Sequence, residues 1–366
     1  MDTWPFAQKN KELICEAWAD AFGEVEEIDI TPSSKERILV TGGAGFMGSW
    51  IAEEFLKLGH EVFIVDNLNT GDLRNIPEGA DYAIGDAADE AFLHGVFRVF
   101  KPDVVYSLAA FAREGTSLFS PKACVRDNVN AHVVTLSEAI RSPNFRKIVY
   151  FSSMAVYGDQ KPPFPEYMQR SPCDPYGWSK ALCEGVTESM SKVFGYDYSI
   201  VRPHNVFGER QSLRDRQRNV IGIFINAVMR KEPLTIYGTG ENTRAFSYIR
   251  NSIKAYTNLL NCGSGQIYNV GDNRPVSILE VANTVLSEMG QLGWKPVEII
   301  HYNDRPLEVK HAHTTFDKQS DIGYIQSYSF QQGVRLMANW GHKEGPQPWL
   351  NIPVELIHQD MPEVWR

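Results

Sequence analysis

The sequence predicts an α/β fold built on a doubly wound parallel sheet, followed by a smaller α/β domain on the C-terminal side. Between residues 37 and 202, short apolar runs rich in β-branched and aromatic residues alternate with helical stretches. Strands buried on both faces form continuous apolar runs, and parallel strands need helical crossovers between them. A glycine-rich segment also follows the first run and opens a helical stretch. Together these observations predict a Rossmann-type sheet.

The individual elements follow from local patterns. Six apolar runs predict strands at 38–40, 62–65, 82–84, 104–106, 148–151 and 198–201. Apolar residues at helical spacing predict helices at 49–58, 128–141 and 175–194. Loops rich in Pro and Gly interrupt this alternation after Arg202, where we expect the smaller domain to begin.

Composition excludes several classes of protein. The 366 residues carry 36 Lys and Arg against 45 Asp and Glu, and a net charge of −9 does not favour a nucleic-acid binder. Five scattered cysteines without a CxxC pair predict reduced thiols rather than disulfides or a zinc site. No apolar run approaches the ~18 residues of a membrane span, and charged residues interrupt the N-terminal segment. We therefore expect a cytoplasmic protein without a signal peptide or a membrane span.

Residues 1–36 differ from the rest of the chain. Large apolar residues between Trp4 and Phe22 recur at helical spacing, and an acidic, turn-rich stretch follows them. This pattern predicts an appended amphipathic helix and a linker, either packed on the main domain or docking a partner.

The glycine-rich segment predicts a dinucleotide site. Gly42, Gly45 and Gly48 have GxxGxxG spacing, which permits a tight turn and a close approach of the backbone to a pyrophosphate. Asp66 ends the second predicted strand, where a carboxylate binds ribose hydroxyls and repels a 2′-phosphate. Asp86 follows the third predicted strand, within reach of an adenine. The sequence therefore predicts NAD rather than NADP.

A tyrosine and a lysine lie one helical turn apart at the start of the helix predicted at 175–194. Asp174 is a favourable N-cap and Pro175 suits the first helical position, which places Tyr176 and Lys180 on one face. A nearby ammonium favours the phenolate, so that a tyrosine with an ordinary pKa of ~10 becomes a usable base. Ser153 follows the strand predicted at 148–151, at the edge where open α/β sheets bind ligands.

Several segments, in order along the chain, resemble motifs of the extended short-chain dehydrogenase/reductase family. They are TGGAGFMG at 41–48, Asp66–Asn67, SLAA at 107–110, FSSMAVYG at 151–158, PYGWSK at 175–180, RPHNVFGERQ at 202–211, IYGTGENTRAFSYI at 236–249, YNVG at 268–271 and RPLE at 305–308. Within that family, the sequence is most similar to NAD-dependent nucleotide-sugar epimerases and dehydratases of the UDP-glucose 4-epimerase type.

The resemblance implies a catalytic set of Ser153, Tyr176 and Lys180. Ser153 would hydrogen-bond the reacting hydroxyl, Tyr176 would take the proton of the C4 hydroxyl as hydride passes to NAD⁺, and Lys180 would hold the nicotinamide ribose and lower the tyrosine pKa. The hydride would then return to the opposite face of the sugar. The implied cofactor-binding residues are Gly42, Gly45, Phe46, Met47, Gly48, Asp66, Asn67, Asp86, Ala87, Leu108, Ala109, Ala110, Asn128, Tyr176, Lys180 and Pro203.

The resemblance also implies a nucleotide-sugar site. Arg244 and Arg305 would bind the diphosphate, Glu308 the nucleotide ribose, and Ile236 and Tyr237 would border the base. The implied substrate-binding residues are Glu114, Ser153, Asn205, Asn219, Val220, Ile236, Tyr237, Arg244, Arg305 and Glu308. A UDP-sugar is favoured, with GDP- and CDP-sugars as alternatives, and the helices at 128–141 and 175–194 match those that pair in family homodimers.

The leading hypothesis is an isomerase that inverts C4 of the sugar. Met154 and Ala155 stand where family dehydratases carry an acid and a base, and Ala155 stands where 3,5-epimerases carry a catalytic cysteine. Decarboxylation of a uronic acid, dehydration, NAD(P)-dependent reduction of another carbonyl compound and dinucleotide sensing without catalysis stay as alternatives. The predicted division is an N-terminal extension at 1–36, a cofactor domain at 37–205 with 243–270, and a nucleotide-sugar domain at 206–242 with 271–366.

Some positions depart from the family pattern. Ser107 replaces the usual His, Arg250–Asn251 replaces an Asp pair, and Ala312 stands where relatives carry a bulky gate. Arg113 and Glu114 form an unusual charged pair in the expected sugar loop, which predicts that Glu114 contacts a part of the sugar that glucose lacks. Solvated surface is the expected role of Arg210, Arg214, Asp215, Arg216 and Arg218, and of the histidines at 311 and 313, so that no metal is predicted.

Overall fold

The computed structural model describes residues 35–362 and Trp365. The helix predicted near the N-terminus, with most of its linker, lies outside the described residues.

Fourteen strands and ten α-helices make up the described chain. The strands are β1 (Arg37–Thr41), β2 (Glu61–Asp66), β3 (Asp81–Ile84), β4 (Val104–Ser107), β5 (Lys147–Phe151), β6 (Asp197–Pro203), β7 (Val206–Phe207), β8 (Leu234–Tyr237), β9 (Thr243–Ala245), β10 (Ser247–Tyr248), β11 (Gln266–Val270), β12 (Pro275–Ser277), β13 (Ile299–Tyr302) and β14 (His311–Ala312). The helices are α1 (Phe46–Lys57), α2 (Glu90–Phe100), α3 (Glu114–Ser117), α4 (Pro121–Cys124), α5 (Ala131–Arg141), α6 (Pro175–Phe194), α7 (Val220–Arg230), α8 (Ile249–Asn258), α9 (Ile278–Gln291) and α10 (Phe330–Glu344). None of these described helices is long and apolar enough to cross a membrane.

The large sheet is doubly wound. Its seven strands are all parallel and lie in the order β11–β6–β5–β4–β1–β2–β3. The order reverses between β1 and β4, which is the switch point where such sheets bind ligands beyond the carboxyl ends of their strands. The six predicted strands are confirmed, and β11 extends the sheet beyond β6.

Two apolar layers cover the sheet, because successive strand residues point to opposite faces. Leu39 and Val105 pack on one face with residues of α2 and α5. Val40 and Tyr106 pack on the other face with residues of α1 and α8. Each sheet face is therefore closed by helices, and the carboxyl edge of the strands is left as the place for a site.

Two predicted helix boundaries are wrong. Helix α1 begins at Phe46 rather than at 49, because the glycine loop turns straight into it with Gly45 as the extended N-cap. Helix α5 begins at Ala131, and a π-helical turn over Val125–Asn130 precedes it. In contrast, α6 has the predicted bounds, with Asp174 capping its first turn and Gly195 ending it in a left-handed conformation.

The chain after β6 forms smaller sheets against a helical layer. Strands β8 and β13 pair in parallel, and β12, β9 and β14 form a separate three-stranded sheet. Helix α9 packs against both α7 and α10. The boundaries given for a nucleotide-sugar domain stay a prediction.

Candidate active site

A cavity of about 620 Å³ lies at the carboxyl ends of the central strands. The ends of β2, β5 and β6, together with the residues that follow β4, contribute to its wall. Every residue assigned to a cofactor or substrate role from the sequence lines this cavity, except Asn128 and Ile236. The fold thus brings together side chains that are far apart in the chain.

The glycine loop is packed too tightly to carry side chains. Gly42 has a φ of +73°, and a Cβ on Gly48 would lie 2.3 Å from the carbonyl oxygen of Gly42. A Cβ on Gly42 would itself lie 2.9 Å from the backbone nitrogen of Ala109. The loop therefore exposes bare backbone at the N-terminus of α1, which is the cradle that a pyrophosphate needs.

Asp66 fixes the neighbouring loop. Its Oδ2 accepts a hydrogen bond from Ala44 N at 3.0 Å, and its Oδ1 accepts one from Leu68 N at 2.8 Å. Burial raises the pKa of this carboxyl, while those backbone N–H groups lower it. The glycine cradle and an acidic side chain at the end of β2 fit the pyrophosphate and the adenosine ribose of NAD.

Ser153, Tyr176 and Lys180 converge on the same cavity. Burial raises the pKa of the Tyr176 phenol well above its ordinary range, and a hydrogen bond with Ser153 opposes that rise. Lys180 Nζ donates to the carbonyl oxygen of Phe151 at 2.8 Å and lies 5.9 Å from the centroid of the Tyr176 ring. Burial lowers the pKa of Lys180 to about 8.

Close packing sets this arrangement. A Cβ on Gly177 would lie 2.7 Å from the carbonyl oxygen of Ala155, so glycine lets α6 approach the turn that carries Ser153. Ser117 Oγ accepts a hydrogen bond from Tyr176 N at 3.3 Å and donates one to the carbonyl oxygen of Glu114 at 2.7 Å. The loop that carries Glu114 is therefore tied to the first turn of α6.

Two residues assigned to ligand binding from the sequence, Asn128 and Ile236, do not line the cavity. Asn128 is 1% exposed and does not line the cavity, because its Oδ1 accepts from Phe111 N at 2.7 Å and its Nδ2 donates to Ser179 Oγ at 2.8 Å. It positions the backbone beside the cofactor site rather than lining that site. Ile236 is fully buried in the core, since alternation along β8 turns it inward and Tyr237 toward the cavity.

Glu308 bridges the two arginines assigned to the diphosphate. Its Oε1 lies 3.0 Å from Arg244 Nη2, and its Oε2 lies 2.6 Å from Arg305 Nε. The three side chains carry one net positive charge and hold each other in place. All three side chains line the cavity.

Arg113 and Glu114, the charged pair in the expected sugar loop, lie in two different environments. Arg113 is buried and its Nε donates to Asp215 Oδ2 at 2.9 Å, whereas Glu114 projects into the cavity. Confinement raises the pKa of Glu114, and it raises that of Asp174 to about 7 with a further contribution from Glu114. Two carboxyl groups thus act on each other inside the cavity, near Tyr176.

The expectation of a solvated arginine loop is wrong for three of its members. Asp215 is 1% exposed because it is the partner of buried Arg113, and Arg216 and Arg218 both line the cavity. Arg210 is half-buried, with its guanidinium 4.3 Å from the Trp50 ring centroid, and Arg214 is exposed. A single acid among four arginines is the only local signal of a buried ion pair in this loop.

The C-terminal segment supplies two cavity residues that the sequence does not predict, Trp349 and Trp365. Trp349 Nε1 donates to Glu232 Oε2 at 2.7 Å, and the Arg216 guanidinium lies 4.5 Å from a Trp349 ring centroid. Trp365 Nε1 donates to the carbonyl oxygen of Arg216 at 3.3 Å. Both indoles are therefore fixed against the same cavity wall.

Comparison with known proteins identifies the family. The model of the NAD dependent epimerase/dehydratase family matches residues 38–271. The chain belongs to the NAD-dependent epimerase/dehydratase family. A putative UDP-glucose 4-epimerase of Methanocaldococcus jannaschii is 32% identical over 305 residues, 83% of this chain and 97% of that protein. A UDP-N-acetyl-alpha-D-glucosaminuronate decarboxylase of Bacillus cytotoxicus is 31% identical over 333 residues, 84% of this chain and 98% of that protein.

A solved structure supports the same relationship. The crystal structure of Thermus thermophilus UDP-glucose 4-epimerase in complex with NAD superposes with a TM-score of 0.78 at 29% identity, covering 83% of this chain and 98% of that one. The cofactor of this epimerase/dehydratase family member is NAD, as the glycine loop and Asp66 predict. Its relatives include lyases as well as isomerases.

Proposed function

We propose that this protein is a nucleotide-sugar 4-epimerase, an isomerase that oxidises the sugar transiently at C4. The observation that carries the proposal is that Ser153, Tyr176 and Lys180 share one cavity with Arg244 and Arg305. The first three side chains are suited to proton transfer from a hydroxyl, and the two arginines are suited to a diphosphate. UDP-glucose 4-epimerases among the relatives support this reading.

NAD⁺ held along the glycine loop would accept the hydride from the sugar carbon. The chain itself must take the proton of the C4 hydroxyl, and Tyr176 is placed for this with Ser153 beside it. Because burial raises the pKa of the phenol, the tyrosine needs the nearby cationic groups to become a base. Lys180 and Arg218 supply positive charge on this side of the cavity.

The residues next to Ser153 favour simple inversion. Met154 lines the cavity and Ala155 is buried, and neither side chain can donate or accept a proton. The sugar would therefore keep its other bonds after oxidation. The Arg244–Glu308–Arg305 cluster would hold the diphosphate as the sugar turns over, since guanidinium groups bind phosphate oxygens in a fixed fork geometry.

Product analysis tests this proposal. The full chain with NAD⁺ is incubated with UDP-glucose, UDP-galactose, UDP-glucuronate, GDP-mannose and CDP-glucose, and inversion at C4 is followed by NMR. Tyr176→Phe is expected to lower kcat by about 10²- to 10⁴-fold. Tyr167→Phe is the matched control, because Tyr167 is 91% exposed and should leave kcat unchanged. Absence of C4 inversion with every sugar, or full activity of Tyr176→Phe, would overturn the proposal.

A lyase is the second candidate, favoured by the decarboxylase among the relatives. If the protein is a lyase, a nucleotide-linked uronic acid should lose CO₂ with no net change in NAD⁺. The same NMR experiment separates the two, because decarboxylation yields a pentose and inversion keeps all six sugar carbons.

We also propose that two copies pair through α5 and α6. Trp178 and Leu182 lie one turn apart on α6 and are 58% and 53% exposed, and Val125 in the adjoining π-helical turn is 48% exposed. The family resemblance implies pairing through these helices, and the exposed apolar residues would supply the contact. Sedimentation should give a dimer that Leu182→Asp dissociates, and a monomeric wild-type chain would contradict this.

A further inference from the structure

Arg218 differs from the other cationic side chains of the cavity. The others have partners: Arg113 with Asp215 at 2.9 Å, Arg216 with Glu232 at 2.8 Å, Arg244 and Arg305 with Glu308, and Lys180 with the carbonyl oxygen of Phe151. Arg218 lines the cavity without a hydrogen bond or ion pair to any residue in the described part of the chain.

Asp215 acts electrostatically on Arg218, but both of its carboxylate oxygens already accept hydrogen bonds from other groups. Asp215 Oδ2 accepts from Arg113 Nε, and Asp215 Oδ1 accepts from Gln217 N at 2.9 Å. The group of Arg113, Asp215 and Arg218 therefore carries one net positive charge. Burial lowers the pKa of Arg218; the charge of Asp215 opposes this shift, and the charge of Arg113 adds to it. A confined cation without a counterion costs folding free energy, so this guanidinium is suited to an anion that a ligand brings.

The position of Arg218 indicates which part of a ligand it faces. Its positive charge is close enough to Tyr176 to lower the pKa of the phenol. If Tyr176 takes the C4 proton, Arg218 faces a substituent on a carbon next to C4. Arg244 and Arg305, the arginines assigned to the diphosphate, are held together by Glu308 in the same cavity.

We infer that Arg218 binds a carboxylate at C5 of the sugar, so that the substrate is a nucleotide-linked uronic acid. This inference rests on the proposed function only for placing C4 at Tyr176. A guanidinium binds a carboxylate through two parallel hydrogen bonds, a geometry that a hydroxymethyl group cannot reproduce.

The acidic side chains of the cavity agree with an anionic sugar. Glu114 and Asp174 would repel a carboxylate if both were ionised. Confinement raises the pKa of both groups, and it raises that of Asp174 to about 7, so a large fraction of Asp174 holds a proton near neutral pH. A protonated carboxyl group donates a hydrogen bond to a carboxylate instead of repelling it.

Calorimetric titration of the NAD-loaded full chain tests the inference. UDP-glucuronate, UDP-glucose and UDP are titrated into the wild type, Arg218→Gln and Arg214→Gln. The wild type should bind UDP-glucuronate at least tenfold tighter than UDP-glucose. Arg218→Gln should weaken UDP-glucuronate by about 10- to 150-fold, the equivalent of one charged hydrogen-bonding group, and change UDP-glucose and UDP by less than threefold. Arg214→Gln is the control, because Arg214 is an exposed arginine of the same loop.

Two outcomes would overturn the inference. Equal weakening of all three ligands by Arg218→Gln would assign Arg218 to the diphosphate, and a wild type without preference for UDP-glucuronate would exclude a carboxylate site. The melting temperature of unliganded Arg218→Gln should equal or exceed that of the wild type, which shows that the variant is folded. If Arg218 gives a preference for UDP-glucuronate over UDP-glucose but no sugar is inverted at C4, the epimerase proposal is refuted and this inference stands. If C4 is inverted but UDP-glucuronate is not preferred, the epimerase proposal stands and this inference is refuted.

Discussion

Ser107 Oγ lies 3.0 Å from Nδ1 of His132, and Nε2 of the same imidazole lies 2.9 Å from Thr187 Oγ1. Thr187 Oγ1 already donates to the carbonyl oxygen of Cys183, so it accepts from Nε2–H and leaves Nδ1 to accept from Ser107. All three side chains are buried, and together they join β4, α5 and α6. The serine that departs from the family pattern thus fixes the helix that carries Tyr176.

His132 should make the fold sensitive to acid. Burial lowers its pKa to about 3 from an ordinary value near 6.5, so the folded protein keeps it neutral where the unfolded chain binds a proton. Its contribution is complete above pH 6.5 and is lost as the pH falls toward 3, by ~1.4 kcal/mol per pH unit. Urea unfolding between pH 7.5 and 4.5 should therefore give a shallower pH dependence for His132→Gln than for the wild type.

His204 provides the comparison for that experiment. Burial lowers its pKa to about 3 as well, and it lies 2.7 Å from Thr314 Oγ1. His204→Gln should reduce the pH dependence of the free energy of unfolding by a similar amount. In the double variant the reduction should equal the sum of the two single reductions. An unchanged pH dependence in His132→Gln would show that burial does not lower the pKa of His132 in the folded protein.

Gly48→Ala should abolish NAD binding and destabilise the fold. A Cβ at this position would lie 2.3 Å from the carbonyl oxygen of Gly42, a contact that the backbone must move to relieve. Gly95→Ala is the matched control, since a Cβ there meets nothing within 4 Å on α2 and should stabilise the protein by ~1 kcal/mol. Thermal melts with and without NAD⁺ measure both effects; an NAD-dependent shift in Gly48→Ala would show that the cradle tolerates the methyl group.

The buried pair of Arg202 and Glu184 should be strongly coupled. Arg202 Nη2 lies 2.6 Å from Glu184 Oε2, and Glu184 Oε1 also accepts from Ser152 Oγ at 2.5 Å. Arg202→Met should destabilise the protein by ~3 kcal/mol, because it removes a partner from a fully buried carboxylate. Arg170 also pairs with Glu184, so the carboxylate keeps one cationic partner in the variant, and this limits the loss of stability.

A double-mutant cycle tests this coupling. Glu184→Gln and Arg202→Met are unfolded in urea separately and together, and the double variant should lose clearly less than the sum of the single losses. Additive losses would show that the pair contributes no interaction energy.

Trp365 should contribute to nucleotide affinity. The Arg305 guanidinium lies 5.8 Å from its ring and 5.2 Å from that of Tyr237, so both aromatic faces help to fix this arginine. Trp365→Ala should raise the Kd for UDP about 5- to 30-fold, because the variant loses one cation–π contact and one aromatic contact. Leu356→Ala alters an exposed residue of the same segment and should leave the Kd unchanged. Equal affinity in Trp365→Ala would exclude it from the nucleotide wall.

The sequence predicts those parts of the fold and of the candidate site that depend on local pattern. The central strands, the glycine loop and the bounds of α6 follow from apolar periodicity, glycine spacing and an N-cap. The sequence also predicts the alternation along β8, because Leu234 and Ile236 lie on one face of the strand and Tyr237 lies on the other. This alternation places Ile236 in the core and not in the cavity.

The remaining site features depend on contacts between distant segments. Arg113 and Asp215 are 102 positions apart, and their pairing turns an arginine-rich loop from the surface into the cavity. Glu308 and Arg244 are 64 positions apart, so the bridge between the two arginines has no local signal. The indoles of Trp349 and Trp365 follow no motif, and only the folded chain shows which wall they join.

The fluorescence of Trp349 and Trp365 should report whether the cavity is occupied. They are two of the eight tryptophans in the chain, and each lies beside a guanidinium whose surroundings a bound nucleotide would alter. Indole emission responds to the polarity and charge of its environment, so occupancy becomes measurable without a label or a coupled reaction. Trp349→Phe and Trp365→Phe would divide the signal between the two positions and show which one senses the nucleotide.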